Sequence, residues 1–271
     1  MSNNNPIVKK EIKGIKNIII VASGKGGVGK STLASTLAMT LSMKGYSIGL
    51  LDADIYGPSI PMMFDIQECR PIVTEKDGKT MIEPIIRFGI KLMSIGLFID
   101  PAKAAIWRGP LASSGMKQMI DQAEWGELDY LIIDTPPGTG DIHISLLQEY
   151  KISGVVIVTT PQMLSTSDVQ KAISLYADQT IGVPVLGVIE NMSWFTPEKH
   201  PNEKYILFGK GGGEALARKF NVQLLAQIPL HEKLCQEVDY GKMNEVANSS
   251  LIKAEFESIS EKIIKQLPVT V

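Results

Sequence analysis

The chain has 271 residues, 44% of them apolar, which is enough to bury a substantial core. Its 27 basic and 29 acidic residues nearly cancel, so no global positive field would attract nucleic acid or anionic lipid. The first 14 residues are polar and charged, and no apolar run approaches membrane-spanning length, so we expect a cytoplasmic protein without a membrane anchor. Cys69 and Cys235 are too few and too far apart for a disulfide framework, and we expect both to be structural thiols.

Short runs rich in apolar and β-branched residues recur along the chain and predict buried strands. They lie at 17–22, 47–54, 91–96, 130–135, 154–160, 184–191 and 224–229. Most of the segments between them are long enough for crossover helices, such as 31–44, which Gly45 would end. This alternation predicts an α/β fold with a doubly wound, mostly parallel sheet of about seven or eight strands and helices on both faces.

The domain organisation follows from the lack of any linker within this pattern. We expect a single domain over residues 15–271, preceded by a short mobile tail at 1–14. Two insertions interrupt the alternation. The segment 71–84 has an Asp77-Gly78 turn between β-prone arms and predicts a small hairpin beside the main sheet. The segment 194–208 follows a strand end, where open α/β sheets place their ligand loops.

A phosphate-binding loop directly follows the first predicted strand and opens the first helix. The segment 23–32 reads SGKGGVGKST, which fits the pattern GxxxxGK[ST] in the structural context that this pattern requires. Glycines let backbone N–H groups converge on phosphate oxygens, and the helix N-terminus adds partial positive charge. We expect Lys30 to hold the β- and γ-phosphates and Ser31 to ligate magnesium. The expected nucleotide-binding residues are Gly24, Lys25, Gly26, Gly27, Val28, Gly29, Lys30, Ser31 and Thr32.

Three aspartates stand at the ends of predicted strands. Asp52 and Asp54 follow the second strand, and a period of two places both on the same side of an extended segment. Asp134 follows four apolar residues, as in a Walker B motif, and would reach magnesium through water, with Asp52 supporting the magnesium shell. Taken alone, Asp52 and Asp54 would also fit a pair of strand-end turn residues. Gly138 and Gly140 would bring backbone amides to the γ-phosphate.

Further motifs follow in order along the chain. They are DADIYGPS at 52–59, WRGP at 107–110, DTPPGTGDIH at 134–143, TTPQ at 159–162, ENMSWF at 190–195 and FGKGGGEALA at 208–217. With KGGVGKST at 25–32, this series resembles the Mrp/ApbC family of iron-sulfur cluster carrier ATPases. That family lies within the deviant P-loop group that includes MinD, ParA and the nitrogenase iron protein. The resemblance covers the chain from Ile15 to about Gly241.

The resemblance implies a homodimer that sandwiches nucleotide, in which Lys25 reaches the phosphates of the partner chain. It implies that Asp54 orients the attacking water, that Asn191 reads the adenine edge and that the chain around Pro229 closes over the base. A buried asparagine supplies both a donor and an acceptor for that purpose. The expected catalytic residues are Lys25, Lys30, Asp54 and Asp134. The expected magnesium ligands are Ser31, Asp52 and Asp134, the aspartates through water.

The sequence departs from this family at the site of the metal cargo. Many relatives carry a Cys-x-x-Cys pair in the loop after ENMS, and two subunits supply thiolates for one bridging cluster. Here Pro197 and His200 stand about where those cysteines would fall, so no iron ligand is evident. Cys235 in a dimer is an alternative ligand, and a buried structural thiol is the other interpretation. The small extra amino-terminal domain of some relatives is not expected either.

Three functions are compatible with these motifs. The first is a slow, magnesium-dependent ATPase that acts as a homodimer and binds or transfers iron-sulfur clusters to apoproteins. The second is a nucleotide-gated switch like MinD or ParA without a cluster. Its membrane or DNA contacts would need a basic tail or surface, whereas the segment 250–271 has mixed charges and predicts a helix packed on the core. The third is a P-loop metabolic kinase or ligase, which would need an acceptor pocket.

Overall fold

The computed structural model describes residues 9–76, 78–98, 110–178, 181–197, 199–200 and 202–269. The strands are β1 (Ile15–Ser23), β2 (Ile48–Asp52), β3 (Ile72–Lys76), β4 (Lys79–Glu83), β5 (Ile85–Arg87), β6 (Ile90–Ser94), β7 (Leu128–Asp134), β8 (Gly154–Thr159), β9 (Val185–Phe195) and β10 (Leu224–Leu230). The helices are α1 (Lys30–Met43), α2 (Ile60–Met63), α3 (Pro110–Asp121), α4 (Asp141–Glu149), α5 (Met163–Ala177), α6 (Gly212–Phe220), α7 (Glu232–Asp239), α8 (Met243–Asn248) and α9 (Lys253–Gln266).

Eight of these strands form one twisted sheet in the order β10-β9-β8-β1-β7-β2-β6-β5. All neighbours are parallel except β5, which pairs antiparallel with β6 at the edge. The doubly wound, mostly parallel sheet predicted from the sequence is therefore confirmed. Asp134 at the end of β7 lies opposite Val21 of β1 and opposite Asp52 of β2. The carboxyl ends of these three central strands thus meet at one edge of the sheet, where α/β folds bind ligands.

Apolar side chains from both faces of the sheet form two cores. Along β1, Ile19 and Val21 face one core and Ile18 and Ile20 face the other, as the two-residue period of a strand requires. Helices α1, α7, α8 and α9 cover the first face, and α3, α4, α5 and α6 cover the second. The predicted carboxyl-terminal helix is α9, which packs on the core through Phe256, Ile259 and Ile263. Because both faces are covered, the central strands consist of nearly continuous apolar runs.

The insertion at 71–84 forms the predicted hairpin. Strands β3 and β4 pair antiparallel as a separate two-stranded sheet, and Asp77 of the expected turn lies outside the described residues. The hairpin is held beside the main sheet because the Ile82 N–H donates to the Gln122 carbonyl and the Glu124 N–H donates to the Ile82 carbonyl, each at 2.8 Å.

The amino-terminal segment expected as a tail lies partly outside the described residues, which begin at Lys9. Lys10 pairs with the chain after α4, since its N–H donates to the Glu149 carbonyl at 2.7 Å and its carbonyl accepts from the Lys151 N–H at 2.9 Å. The division into a tail and a single domain stays a prediction. None of the helices within the described ranges combines the length and apolar character needed to cross a membrane.

Candidate nucleotide-binding site

The phosphate loop connects β1 to α1, and close backbone packing sets its shape. A Cβ atom on Gly24 would lie 2.4 Å from the backbone nitrogen of Val169 in α5, so this position has no space for a side chain. Gly29, with a φ of 81°, occupies the left-handed region and would place a Cβ atom 2.4 Å from Asn191 Nδ2. Gly26 and Gly27 are exposed, whereas Val28 is buried in the core. The loop therefore lies at the carboxyl edge of the sheet between β1 and α1.

Lys30 lies in the first turn of α1 with its ammonium between two carboxylates. The side chain is 6% exposed, and Nζ lies 2.5 Å from Asp134 Oδ1 and 3.8 Å from Asp54 Oδ2. A buried charge is tolerated only when it is paired, so this contact accounts for the burial of Lys30 and Asp134 together. Three predicted site residues from α1, β7 and the chain after β2 are thus brought together.

Asp52 is fully buried beside Asp134, across the pairing of β2 with β7. Its carboxylate accepts hydrogen bonds from the Asp54 N–H at 3.1 Å, the Ile60 N–H at 3.2 Å and the Ser94 hydroxyl at 3.0 Å. Burial and the charge of Asp134 nevertheless raise the pKa of Asp52 to about 8. Burial also raises the pKa values of Asp54 and Asp134, and the Lys30 ammonium opposes both shifts. Three carboxyl groups are therefore crowded at this edge of the sheet, and a bound cation would favour their charged forms.

Two buried carboxylate oxygens at the strand ends remain available to a ligand other than Lys30. Asp54 Oδ1 and Asp134 Oδ2 have no hydrogen-bond partner among the described residues. Ser31 lies next to them, since its hydroxyl interacts with Asp134 and accepts from Lys30 Nζ at 3.4 Å. Oxygen ligands of this kind suit hydrated magnesium, which keeps several of its waters. Ser31 as a direct ligand, with Asp52 and Asp134 acting through water, therefore fits the predicted magnesium ion. Within the described ranges, no group of three or more His, Cys, Asp and Glu side chains could hold a metal directly.

A cavity of about 200 Å³ opens beside the phosphate loop. Its lining includes Gly29 and Thr32 from the loop, Asn191 from β9 and Pro229 from β10, with apolar residues of α7, α8 and α9 on the far side. Asn191 is buried, and its Nδ2 donates to the Val28 carbonyl at 2.8 Å, which joins β9 to the phosphate loop. The two positions expected to bind the base therefore share one cavity with the loop expected to bind the phosphates.

The cysteines differ from the sequence-based expectation. Cys69 and Cys235 are both exposed, so the interpretation of Cys235 as a buried structural thiol was wrong. Helix α7 turns Leu234 and Val238 toward the core at a spacing of four residues, and Cys235 falls on the outer side of that stripe. Cys235 also lines the cavity, where partial burial and the charge of Asp239 raise the pKa of its thiol.

The loop between Asp134 and α4 is held by a buried histidine that the sequence reasoning did not single out. A carbonyl can only accept, so His143 Nε2 donates to the Pro136 carbonyl at 2.9 Å and Nδ1 accepts from the Tyr176 hydroxyl at 2.6 Å. Burial lowers the pKa of His143 to about 4, which keeps the imidazole neutral at pH 7. The Gly138 N–H donates to the Ser23 carbonyl at 2.8 Å, so this amide is engaged within the chain rather than free for a phosphate.

A second glycine-rich string, GKGGGE at 209–214, opens α6 but is occupied by an internal carboxylate. Glu190 is buried, and its Oε2 accepts from the Gly213 N–H at 2.6 Å. Its Oε1 accepts from the Ser193 hydroxyl at 2.9 Å and from Gln227 Nε2 at 2.8 Å. This network holds the first turn of α6 against β9 at the residue directly before Asn191. The signal in the sequence was the first letter of ENMSWF, a glutamate at the end of an apolar strand.

The loop after β9 contains the positions at which relatives were expected to carry cysteines. Phe195 pairs with Tyr205 through reciprocal backbone hydrogen bonds, and Lys204 Nζ lies 4.0 Å from the centre of the Trp194 ring. His200 is exposed and lies 3.3 Å from Glu203, a surface contact rather than a ligand geometry. Residues 107–109 of the WRGP motif lie outside the described part of the chain.

Comparison with known proteins places these motifs in one family. The profile of the ParA family, described as NUBPL iron-transfer P-loop NTPase, matches residues 14–264. The chain belongs to this family. It is a P-loop NTPase of the ParA type, and the resemblance stated from its motifs is confirmed.

Curated relatives extend this assignment. The chain is 44% identical over 267 residues to an iron-sulfur cluster carrier protein of Haemophilus influenzae, covering 98% of this chain and 70% of that protein. It is 44% identical over 257 residues to the protein of the same name from Escherichia coli K12, covering 94% and 68%. A Synechocystis protein of that name is 45% identical over 233 residues, covering 86% and 65%. The chain thus spans about two thirds of the length of these relatives.

Solved structures agree with the fold. A nucleotide-binding protein from Archaeoglobus fulgidus in complex with ADP is 37% identical, with a TM-score of 0.73 over 87% of this chain and 89% of that chain. The cell division ATPase MinD of Pyrococcus furiosus is 19% identical, with a TM-score of 0.62 over 92% and 99%. The second similarity supports the fold alone.

Proposed function

We propose that this chain is a magnesium-dependent ATPase that acts as a homodimer and carries iron-sulfur clusters to apoproteins. The observation that carries the proposal is the buried group of Lys30, Asp54 and Asp134 beside the phosphate loop, a loop that also borders the cavity at Asn191. The curated relatives named iron-sulfur cluster carrier proteins support the cargo. The cytoplasmic location and the single-domain organisation belong to this proposal.

Each residue of this group has a proposed part in hydrolysis. The loop amides and Lys30 hold the β- and γ-phosphates, which requires Lys30 to exchange its contact with Asp134 for phosphate oxygens. Asp54 orients the attacking water, since its Oδ1 is buried and has no other partner among the described residues. Ser31 would hold magnesium directly, with Asp52 and Asp134 acting through water, and the ion would neutralise charge on the phosphate oxygens.

The homodimer supplies the second lysine of the loop. Lys25 stands outside the buried group around Lys30 and contacts Gln162 on its own chain. In a face-to-face dimer, Lys25 stabilises the developing charge on the phosphates bound by the partner. Hydrolysis then depends on dimerisation, and we expect a slow turnover that rises with protein concentration.

The cluster is the proposed cargo, and cysteine thiolates are the ligands that iron-sulfur clusters prefer. Two exposed thiols, Cys69 and Cys235, are available on each chain. Cys235 lines the cavity beside the phosphate loop, so a nucleotide bound there would change the surroundings of a cluster held by this thiol. Cys69 lies in the chain after α2 and does not line that cavity.

Anaerobic reconstitution with iron and sulfide tests the cargo directly. We expect about one cluster per dimer by iron quantitation and visible absorption, with transfer to an apo-acceptor that changes when ATP is added. Cys235→Ser should lose the cluster, and Cys69→Ser serves as the matched control for loss of one exposed thiol. Full cluster binding by both variants would assign the ligands elsewhere.

The alternative function is a nucleotide-gated switch without a cluster. It is favoured by one observation: Pro197 and His200 occupy the loop positions where cysteines were expected, and His200 contacts Glu203. ATP hydrolysis without any cluster after reconstitution would support this alternative and reject the carrier function.

Asn191 provides a test of base recognition. We expect Asn191→Ala to weaken ATP binding about 10-fold and to reduce the preference for ATP over GTP, because a base edge loses its polar partner. The measurement is titration calorimetry with both nucleotides. Asn248→Ala is the matched control, since Asn248 is exposed and only donates to Asn244 on the surface of α8. An unchanged ratio of ATP to GTP affinity would remove Asn191 from base recognition.

A further inference from the structure

The motif TTPQ at 159–162 ends on a glutamine that contacts the second lysine of the phosphate loop. Gln162 is the residue before the first turn of α5, and its Oε1 accepts from Lys25 Nζ at 2.9 Å. We propose that Gln162 is a positioning residue that holds Lys25 against its own chain and so sets how readily two chains close on nucleotide. This inference rests on the proposed homodimer and adds a control point to it.

The contact is built into the packing of the loop. The Ser23 hydroxyl donates to the Lys25 carbonyl at 2.9 Å, which fixes the backbone of Lys25. Gly24 packs so closely on α5 that a Cβ atom would meet the backbone of Asp168 and Val169. The loop segment that carries Lys25 therefore lies directly on the first turns of α5. Lys25 and Gln162 are both partly buried. The hydrogen bond from Ser23, the packing of Gly24 on α5 and the hydrogen bond to Gln162 together position the Lys25 ammonium.

The hydrogen bond between Lys25 and Gln162 is weak enough for a nucleotide phosphate to replace it. The N-terminus of α5 carries partial positive charge and disfavours an ammonium, and the amide oxygen of Gln162 offsets that effect. The amide is a neutral acceptor, whereas a phosphate oxygen is charged and makes a stronger hydrogen bond with Lys25. Lys25 therefore leaves Gln162 when the partner chain presents a nucleotide phosphate. The free energy that Lys25 contributes to dimerisation is therefore reduced by the free energy of the contact with Gln162 that is lost.

Two substitutions at one position should act in opposite directions. Gln162→Ala removes the acceptor, and we expect dimerisation at about 3- to 10-fold lower protein concentration, which corresponds to one hydrogen bond of ordinary net strength. Gln162→Glu replaces the amide with a carboxylate that pairs with Lys25, and we expect dimerisation to need at least about 10-fold more protein. The measurement is sedimentation velocity of the full chain with magnesium and a non-hydrolysable ATP analogue.

Controls separate this role from general effects on α5. Gln170→Glu makes the same change within α5 beside another lysine, since Lys219 Nζ donates to Gln170 Oε1 at 2.7 Å, and it should leave dimerisation unchanged. In a Lys25→Met background, both substitutions at Gln162 should lose their effect. The affinity of each variant for ADP should stay within about twofold of the unchanged chain, because Gln162 does not line the cavity.

The outcomes distinguish this inference from the proposed function. If the unchanged chain dimerises with nucleotide and both Gln162 variants match it, the positioning role is rejected and the homodimer stands. Weaker dimerisation of Gln162→Ala would also reject the role, since Gln162 would then aid the contact across the dimer. A chain that stays monomeric at every concentration of the ATP analogue would reject the homodimer, and the inference with it.

Discussion

Replacing Lys30 with alanine is expected to weaken ATP binding by at least about 100-fold, because the β- and γ-phosphates lose their buried cation. Titration calorimetry with ATP measures this effect. Lys44→Ala is the matched control at the opposite end of α1, since Lys44 is a surface lysine with Glu261 3.5 Å away. Normal ATP affinity and turnover in Lys30→Ala would reject the assignment of the phosphate loop.

The same substitution should also destabilise the fold in a pH-dependent way. Removing Lys30 leaves the fully buried Asp134 without its cation, and breaking a buried pair costs about 3–5 kcal/mol. Burial already raises the pKa of Asp134, and loss of Lys30 raises it further. A folded-state carboxyl with a raised pKa binds its proton more tightly than the unfolded chain does. The free energy of unfolding therefore falls as pH rises above the unfolded pKa, and the loss should be larger at pH 8 than at pH 5.

A double variant separates the two effects of Lys30. Lys30→Ala combined with Asp134→Asn removes both charges, so the free energy of unfolding should recover most of its loss while ATP binding stays weak. Urea denaturation at pH 5 and pH 8 measures the recovery. A double variant as unstable as Lys30→Ala would show that the lysine stabilises the fold through packing rather than through its charge.

Replacing Asp54 with asparagine is expected to lower ATP turnover about 10²- to 10³-fold while ATP affinity changes by less than about 3-fold. The amide has nearly the size of the carboxylate but a weaker acceptor oxygen, so the attacking water loses its orientation. Asp54 lies 3.8 Å from Lys30, whereas Asp134 makes the close contact, so nucleotide binding should survive. Phosphate release at saturating ATP, together with calorimetry, measures the two quantities.

The control for Asp54 is Asp65→Asn, which changes an exposed aspartate whose nearest cation, Arg87, lies 3.6 Å away. It should leave turnover and affinity unchanged. Unaltered hydrolysis in Asp54→Asn would remove Asp54 from catalysis, and a loss of ATP affinity as large as that of Lys30→Ala would assign it to nucleotide binding instead.

Much of the fold could be predicted because its central strands are covered on both faces. Such strands must be continuously apolar, and each of the seven predicted runs overlaps a strand of the structure. The short edge strand at 85–87 was not predicted, since three residues carry too little pattern to separate a strand from a loop. The exposed position of Cys235 was also missed, because the orientation of α7 depends on which of its residues meet the core.

The sequence by itself determined the phosphate loop, the aspartates after the strands, and the family. These features are local: glycines, a lysine and a hydroxyl at fixed spacing between a strand and a helix specify an anion site wherever they fold. Only the tertiary structure decided which of these residues meet. The contacts between Lys30 and Asp134, Asn191 and Val28, and Lys25 and Gln162 join residues 104, 163 and 137 positions apart. Strand order and register decide which of these distant residues come into contact, and the local sequence pattern specifies neither of them.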